Sequence, residues 1–221
     1  MRRLLQGVLP FCVCCLLQQA VQAASILPTP LGASDLHLIE RTTFGVNGSV
    51  AAEFSRLGRD RWLDTQIHPA AKDRLPAAAQ AIIDGLPISA TPPNELAISL
   101  AAQARAANQI QDPEQRRAAQ QAYQQALADI ARQAATRSLL RDLYSPDQLR
   151  EKMTWFWMNH FNVFQSKADI RAFIGDYENR AIRPRALGQF RDLLMATVRH
   201  PAMLRYLDNA ENAHGQRELF A

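Results

Sequence analysis

The sequence predicts an all-α protein, an irregular multi-helix bundle with a long Ala/Gln-rich helical hairpin. Three observations carry that expectation. No window alternates apolar and polar residues with the period of two that a half-buried strand needs. Residues 94–144 are rich in Ala, Gln and Arg, all good helix formers, with one break at Asp112-Pro113-Glu114, where Asp caps and Pro takes the first helical position. Ser145-Pro146-Asp147-Gln148 has the form of a capping box ahead of a run of large apolar side chains.

Taken in order, residues 1–23 read as a secretory signal: Arg2 and Arg3, an almost wholly apolar stretch, then small residues around Val21-Gln22-Ala23. The stretch is shorter than the roughly 20 apolar residues that span a bilayer, so no membrane span is expected after cleavage. A periplasmic or secreted location follows. Cys12, Cys14 and Cys15 all fall inside the signal, which leaves the mature chain no disulfide or thiolate chemistry. Phe11 before Cys12 is the wrong residue for a lipid-attachment signal. The net charge of +4 includes Arg2 and Arg3, and the remaining surplus is too small to point to nucleic acid.

Pro28 and Pro30 make residues 24–33 an extended lead-in to a helical domain over 34–221. Ser34 or Asp35 caps a first helix carrying Leu36, Leu38 and Ile39, closed by Gly45. Ser49 caps a second, with Phe54 and Leu57 on one face and Gly58 as its stop. Trp62, Leu63 and Ile67 mark a third before Pro69. In residues 94–144 large apolar side chains are sparse among the alanines, too few for a coiled-coil seam, and the hairpin is expected to be an insertion or interaction arm, the alternative being a second packed layer of the core. The helix launched at Ser145 is expected to run to about Phe164. Further helices are predicted over 169–180, 184–199 and 201–209, the middle one with Leu187, Phe190, Leu194 and Val198 at helical spacing.

Between Met153 and Phe164 only Thr154, Asn159, His160 and Asn162 are polar, the pattern of a helix buried on nearly every side. At about 100° per residue His160 shares a face with Leu149, Met153, Phe156 and Phe164, which predicts a buried imidazole in need of a partner. Two roles fit it: a core hydrogen bond, or a general base or metal ligand. Glu151 lies on the opposite side of the wheel, so a partner must come from another helix. Asp208, at the end of the helix that starts at Pro201 and near Asn209, Glu211, Asn212 and His214, is the candidate. Capping and solvation explain such a cluster as well as a site does.

His160 and Asp208 are therefore the candidate catalytic residues. The three-residue spacing of Asp208, Glu211 and His214 does not match a zinc helix whose ligands stand four apart. His37 and His200 are dispersed, so metal and cofactor content stay open. Arg41, Arg150, Lys152, Lys167, Arg180, Arg183, Arg185 and Arg191 would line an anion pocket only if several faced one cleft. Pairing with Asp169, Asp176, Glu178 and Asp192 is the commoner arrangement. Glycine-rich phosphate loops, a Gly-x-Ser-x-Gly elbow and Cys/His zinc spacing are absent from the sequence.

The run 150–161 (Arg-Glu-Lys-Met-Thr-Trp-Phe-Trp-Met-Asn-His-Phe), the Pro201-Ala202-Met203 turn, residues 38–45 and residues 62–66 resemble the bacterial exported family known as domain of unknown function 1800. The resemblance implies an exported, bacterial, largely helical protein and carries over no catalytic residue. Such proteins continue past an Asn-Glu-Asn, aromatic, Ala-Arg-Glu-Leu segment. Here Asn212 to Gln216 runs into Arg217-Glu218-Leu219, so the domain is expected to be incomplete at its C-terminus. The function expected is a binding or assembly component of the bacterial cell envelope, with an envelope protein or polymer as partner. The alternative is a hydrolase or metal-dependent enzyme acting on extracellular polymer through His160 and Asp208.

Overall fold

A computed structural model describes residues 30–72 and 74–209. Residues 1–23 with their cysteines, the Glu211 to His214 cluster and residues 215–221 lie outside the described residues. Among the described residues every regular element is helical, which agrees with the predicted class.

Helices α1 (Ala33–Thr42), α2 (Gly48–Leu57) and α3 (Arg59–Ile67) open the domain. They close over Ile39, Val50, Phe54 and Trp62, with the Phe54 and Trp62 rings 5.2 Å apart. Helix α1 ends three residues before Gly45. The Thr42 and Thr43 hydroxyls donate back to Leu38 O and Ile39 O at 2.7 and 2.8 Å, taking carbonyls that another turn would use. The cap of α2 is Asn47, which accepts from Val50 N at 2.9 Å, while Ser49 donates its hydroxyl to Asn47. Gly58, at φ 75°, ends α2 as expected and serves as the N-cap of α3.

Two elements went unread in the sequence: α4 (Ala77–Asp84) and the single turn α5 (Pro87–Ala90). Neither has a side-chain cap, and α4 offers only Ala79 and Ile83 as its buried stripe. The hairpin is α6 (Pro93–Gln109) and α7 (Pro113–Tyr144), with Asp112 accepting from Gln115 N at 2.8 Å. It is arm and core layer at once. Residues 111–118 at its tip are exposed, whereas its base contributes Leu100, Leu127 and Ile130 to a core shared with Ala172.

Helix α8 (Gln148–His160) stops short of Phe164. Where one regular helix was expected over 169–180, the chain forms a 3-10 turn (Ile170–Ala172), α9 (Ile174–Asp176), a π turn (Tyr177–Ile182) and a second 3-10 turn (Arg183–Arg185). Pro184 explains the irregular end: it cannot donate, and its ring excludes the carbonyl four residues back. The Arg185 guanidinium donates to the carbonyls of Arg180 and Ala181 at 2.7 and 3.1 Å. Helix α10 (Phe190–Val198) is shorter than its predicted range, and α11 (Pro201–Tyr206) begins where His200 Nδ1 accepts from Ala202 N. The largest core cluster joins Val163, Ile170, Tyr177, Ile182, Leu193 and Met203.

Candidate functional site

Helix α8 is built the opposite way round from its apolar pattern. Its buried residues are Gln148, Arg150, Glu151 and Thr154, while Trp155, Phe156, Asn159 and His160 are exposed. Phe156 and His160 do share a face opposite Glu151, but that face is the outer one and Glu151 lies inside.

Charge pairing holds the polar face inside. Asp147, fully buried, accepts from Arg74 at 2.7 Å and Arg150 at 3.0 Å. Glu151, 2% exposed, takes both nitrogens of an Arg183 fork at 2.8 and 2.6 Å. Such bidentate, charge-assisted pairs are the geometry that lets ions tolerate burial. Arg150 also donates to Ala70 O at 3.0 Å. The capping box forms differently from its expected shape: α8 starts at Gln148, and Ser145 Oγ accepts from Asp147 N at 3.2 Å. Buried Gln66 accepts from Leu149 N and donates to Pro146 O, stitching α3 to the first turn of α8. The Gln148 amide donates to Asp142 O and Ser145 O at 2.9 and 2.8 Å.

The same polar interior continues into α7. Arg137 donates to Gly175 O at 2.7 Å and Arg141 to Asn179 Oδ1 at 2.9 Å. Burial lowers the Arg137 pKa and raises that of Glu178, against the pull of Arg137 and Arg141 on the latter. Asp142 is pushed up to about 7, first by burial and then by Glu178 and Glu151. Burial also raises the Tyr177 phenol, which donates to Phe161 O at 2.8 Å.

His160 is exposed, which corrects the expectation of a buried imidazole. Its ring stacks on Phe156 and meets Trp157 and Phe161 edge-on, with centroids 6.1, 5.6 and 4.8 Å away. Phe190 of α10 joins this group through Trp157 and Phe161. Trp157 is pinned beneath by its indole N–H, which donates to Ala186 O at 3.0 Å. The result is a continuous aromatic face with Phe156 46% and Phe190 53% exposed, and Trp155, next to Phe156 in the chain, is 57% exposed.

Asp208 sits elsewhere, ion-paired with Lys167 at 2.7 Å, while Lys167 also donates to Tyr206 O. No described contact joins His160 to Asp208. His200 is buried and structural: one ring nitrogen caps α11 and the other faces Asp176 Oδ2 at 3.1 Å. His37 lies in a shallow surface hollow with Glu40, Arg41 and Lys152. Among the described residues no group of three or more His, Cys, Asp and Glu side chains is arranged to hold a metal ion, and no helix is long and apolar enough to cross a membrane.

A cleft of about 400 Å³ opens between α4, α5 and the inner side of α7. Arg137, Arg141 and Arg180 reach it together. Of these only Arg180 had been singled out in the sequence. The other two sit in the Ala/Gln-rich run, where an arginine looks like ordinary helix surface, and the signal available was their four-residue spacing on one face of a long helix.

No curated protein and no solved structure matches the chain. Residues 37–218, which include the whole of α8 and its aromatic face, match the family model described as protein of unknown function (DUF1800), and with most of its length covered the chain belongs to that family.

Proposed function

We propose that this protein is a binding or assembly component of the bacterial cell envelope and engages an envelope protein or polymer through the aromatic face of α8 and α10. The observation that supports this reading is the exposure of Phe156 and Phe190 in the ring cluster that holds His160, with Trp155 exposed beside Phe156 in the chain. Leaving a large apolar ring in water forgoes about 1.5–3 kcal/mol of burial, and several rings in one continuous patch mark an interaction surface. Aromatic anchors beside hydrogen-bonding groups, here Asn159 and His160, are the composition of binding hot spots. The signal-like residues 1–23 would deliver that face to the envelope. The hydrolytic reading has less support, because Asp208 is engaged by Lys167 rather than by His160.

The test is cosedimentation of the full chain with a purified envelope fraction. Wild-type protein is expected in the pellet and the Phe156→Ala/Phe190→Ala variant in the supernatant, with matching thermal melts. Digesting the fraction beforehand with a protease or with a glycan hydrolase separates a protein partner from a polymer. Wild-type protein that stays in the supernatant, or a variant that still pellets, contradicts the proposal.

A further inference from the structure

The cleft beside α7 has a charged wall and an apolar wall. Its volume of about 400 Å³ falls within the roughly 300–1,000 Å³ of small-molecule sites. On the charged side stand Arg137 and Arg141, 6% and 8% exposed, one turn apart on α7, and Arg180 from the π turn. Like charges four residues apart on a helix repel, and burying guanidinium groups adds a desolvation cost. Arg137 uses one terminal nitrogen on Gly175 O, while its Nε is buried with no acceptor among the described residues. The two carboxylates of the lining are already engaged, Asp84 by the Gln80 amide and Asp176 by His200 and Arg180. Ile83, Ile88 and Leu96 reach the cleft from α4, α5 and α6, while Ile130 lies on α7 with Arg137 and Arg141.

We propose that this cleft binds a monoanionic organic carboxylate, with its head group on Arg137 and Arg180 and its apolar body against Ile83, Ile88 and Leu96. A carboxylate matches the planar, bidentate geometry that guanidinium groups favour. Three arginines against two aspartates leave the lining one positive charge in surplus. That balance suits a monoanion better than a phosphate ester, which carries about −1.5 to −2. Glu178, next to Arg137 and Arg141, is driven by burial toward its neutral form and so opposes them less than an ordinary glutamate would. The site is separate from the aromatic face, so either can fail without the other.

Calorimetric titration of the full chain with octanoate, octanol and octyl phosphate tests the assignment. Octanoate is expected to bind saturably and to raise the Tm, octanol to do neither, and octyl phosphate to bind more weakly than octanoate. Arg180→Gln, at a side chain 65% exposed and so tolerable to the fold, should weaken octanoate about tenfold with an unchanged melt in its absence. The proposal is overturned if folded wild-type protein ignores octanoate, if octanol binds equally well, if octyl phosphate binds more tightly, or if Arg180→Gln leaves the affinity unchanged.

Discussion

Burial pushes the carboxyl of Asp142 up to about 7, and the neighbouring Glu178 and Glu151 act in the same direction. An unfolded aspartate titrates near ~3.9, so the folded chain keeps a proton that the unfolded chain has released across the interval between the two values. The sign follows from linkage: Asp142's contribution is most favourable below the unfolded value, declines as pH rises toward 7, and is constant above it. Asp142→Asn holds the neutral form at every pH. The variant is expected to match the wild type near pH 4 and to be more stable at pH 8 by about 1 kcal/mol, a figure reduced from the full linkage value because solvent reaches the group. Thermal melts between pH 4 and pH 8 measure this, and a wild type that gains on the variant as pH rises would refute it. None of this could be read from the sequence around Asp142, because Glu178 and Arg183 arrive from another helical segment.

At the level of elements, the sequence was informative wherever a boundary has a local chemical cause. Asp112-Pro113 starts α7 and Gly58 ends α2 because capping and positive φ are properties of single residues. It failed where the cause is distant. Hydrophobic patterning assumes that the apolar side of a helix faces inward, yet α8 is turned by distant partners, among them Arg183, Arg74 and Gln66, whose bonds span 32, 73 and 83 residues of chain. The irregular run 170–185 is likewise shaped by its packing against α7. A Cβ on Gly175 would stand 2.9 Å from the Ala134 Cβ and 3.3 Å from Arg137 Nη2. Gly175→Ala must therefore push α9 away from α7 and disturb the Arg137 to Gly175 hydrogen bond. A loss of about 1–3 kcal/mol in urea unfolding is expected, and an unchanged midpoint would show that the two segments are not in close contact.

At the scale of the molecule, the apolar clusters at three places among the described residues are accompanied by a polar interior in which Asp147, Arg150, Glu151, Glu178 and Arg183 are all buried. Paired burial of this kind is weak in net stabilisation but costly to break on one side, because the remaining charge is stranded. It also frees the aromatic side of α8 to face outward, which is the feature on which the proposed binding role depends. All-α class, the hairpin and the importance of the 150–161 run were legible from residue types and spacing. The orientation of that run was not, since it rests on ion pairs between segments far apart in sequence.

The most direct test is a comparison of global thermal and urea unfolding for His160→Ala and Glu151→Ala in the full chain. With His160 on the surface and Glu151 locked to Arg183, His160→Ala is expected to lie within about 0.5 kcal/mol of wild type and Glu151→Ala to lose about 3–5 kcal/mol. The reverse order, a damaging His160→Ala beside a neutral Glu151→Ala, would mean that the aromatic face is the core of the protein and would contradict the account.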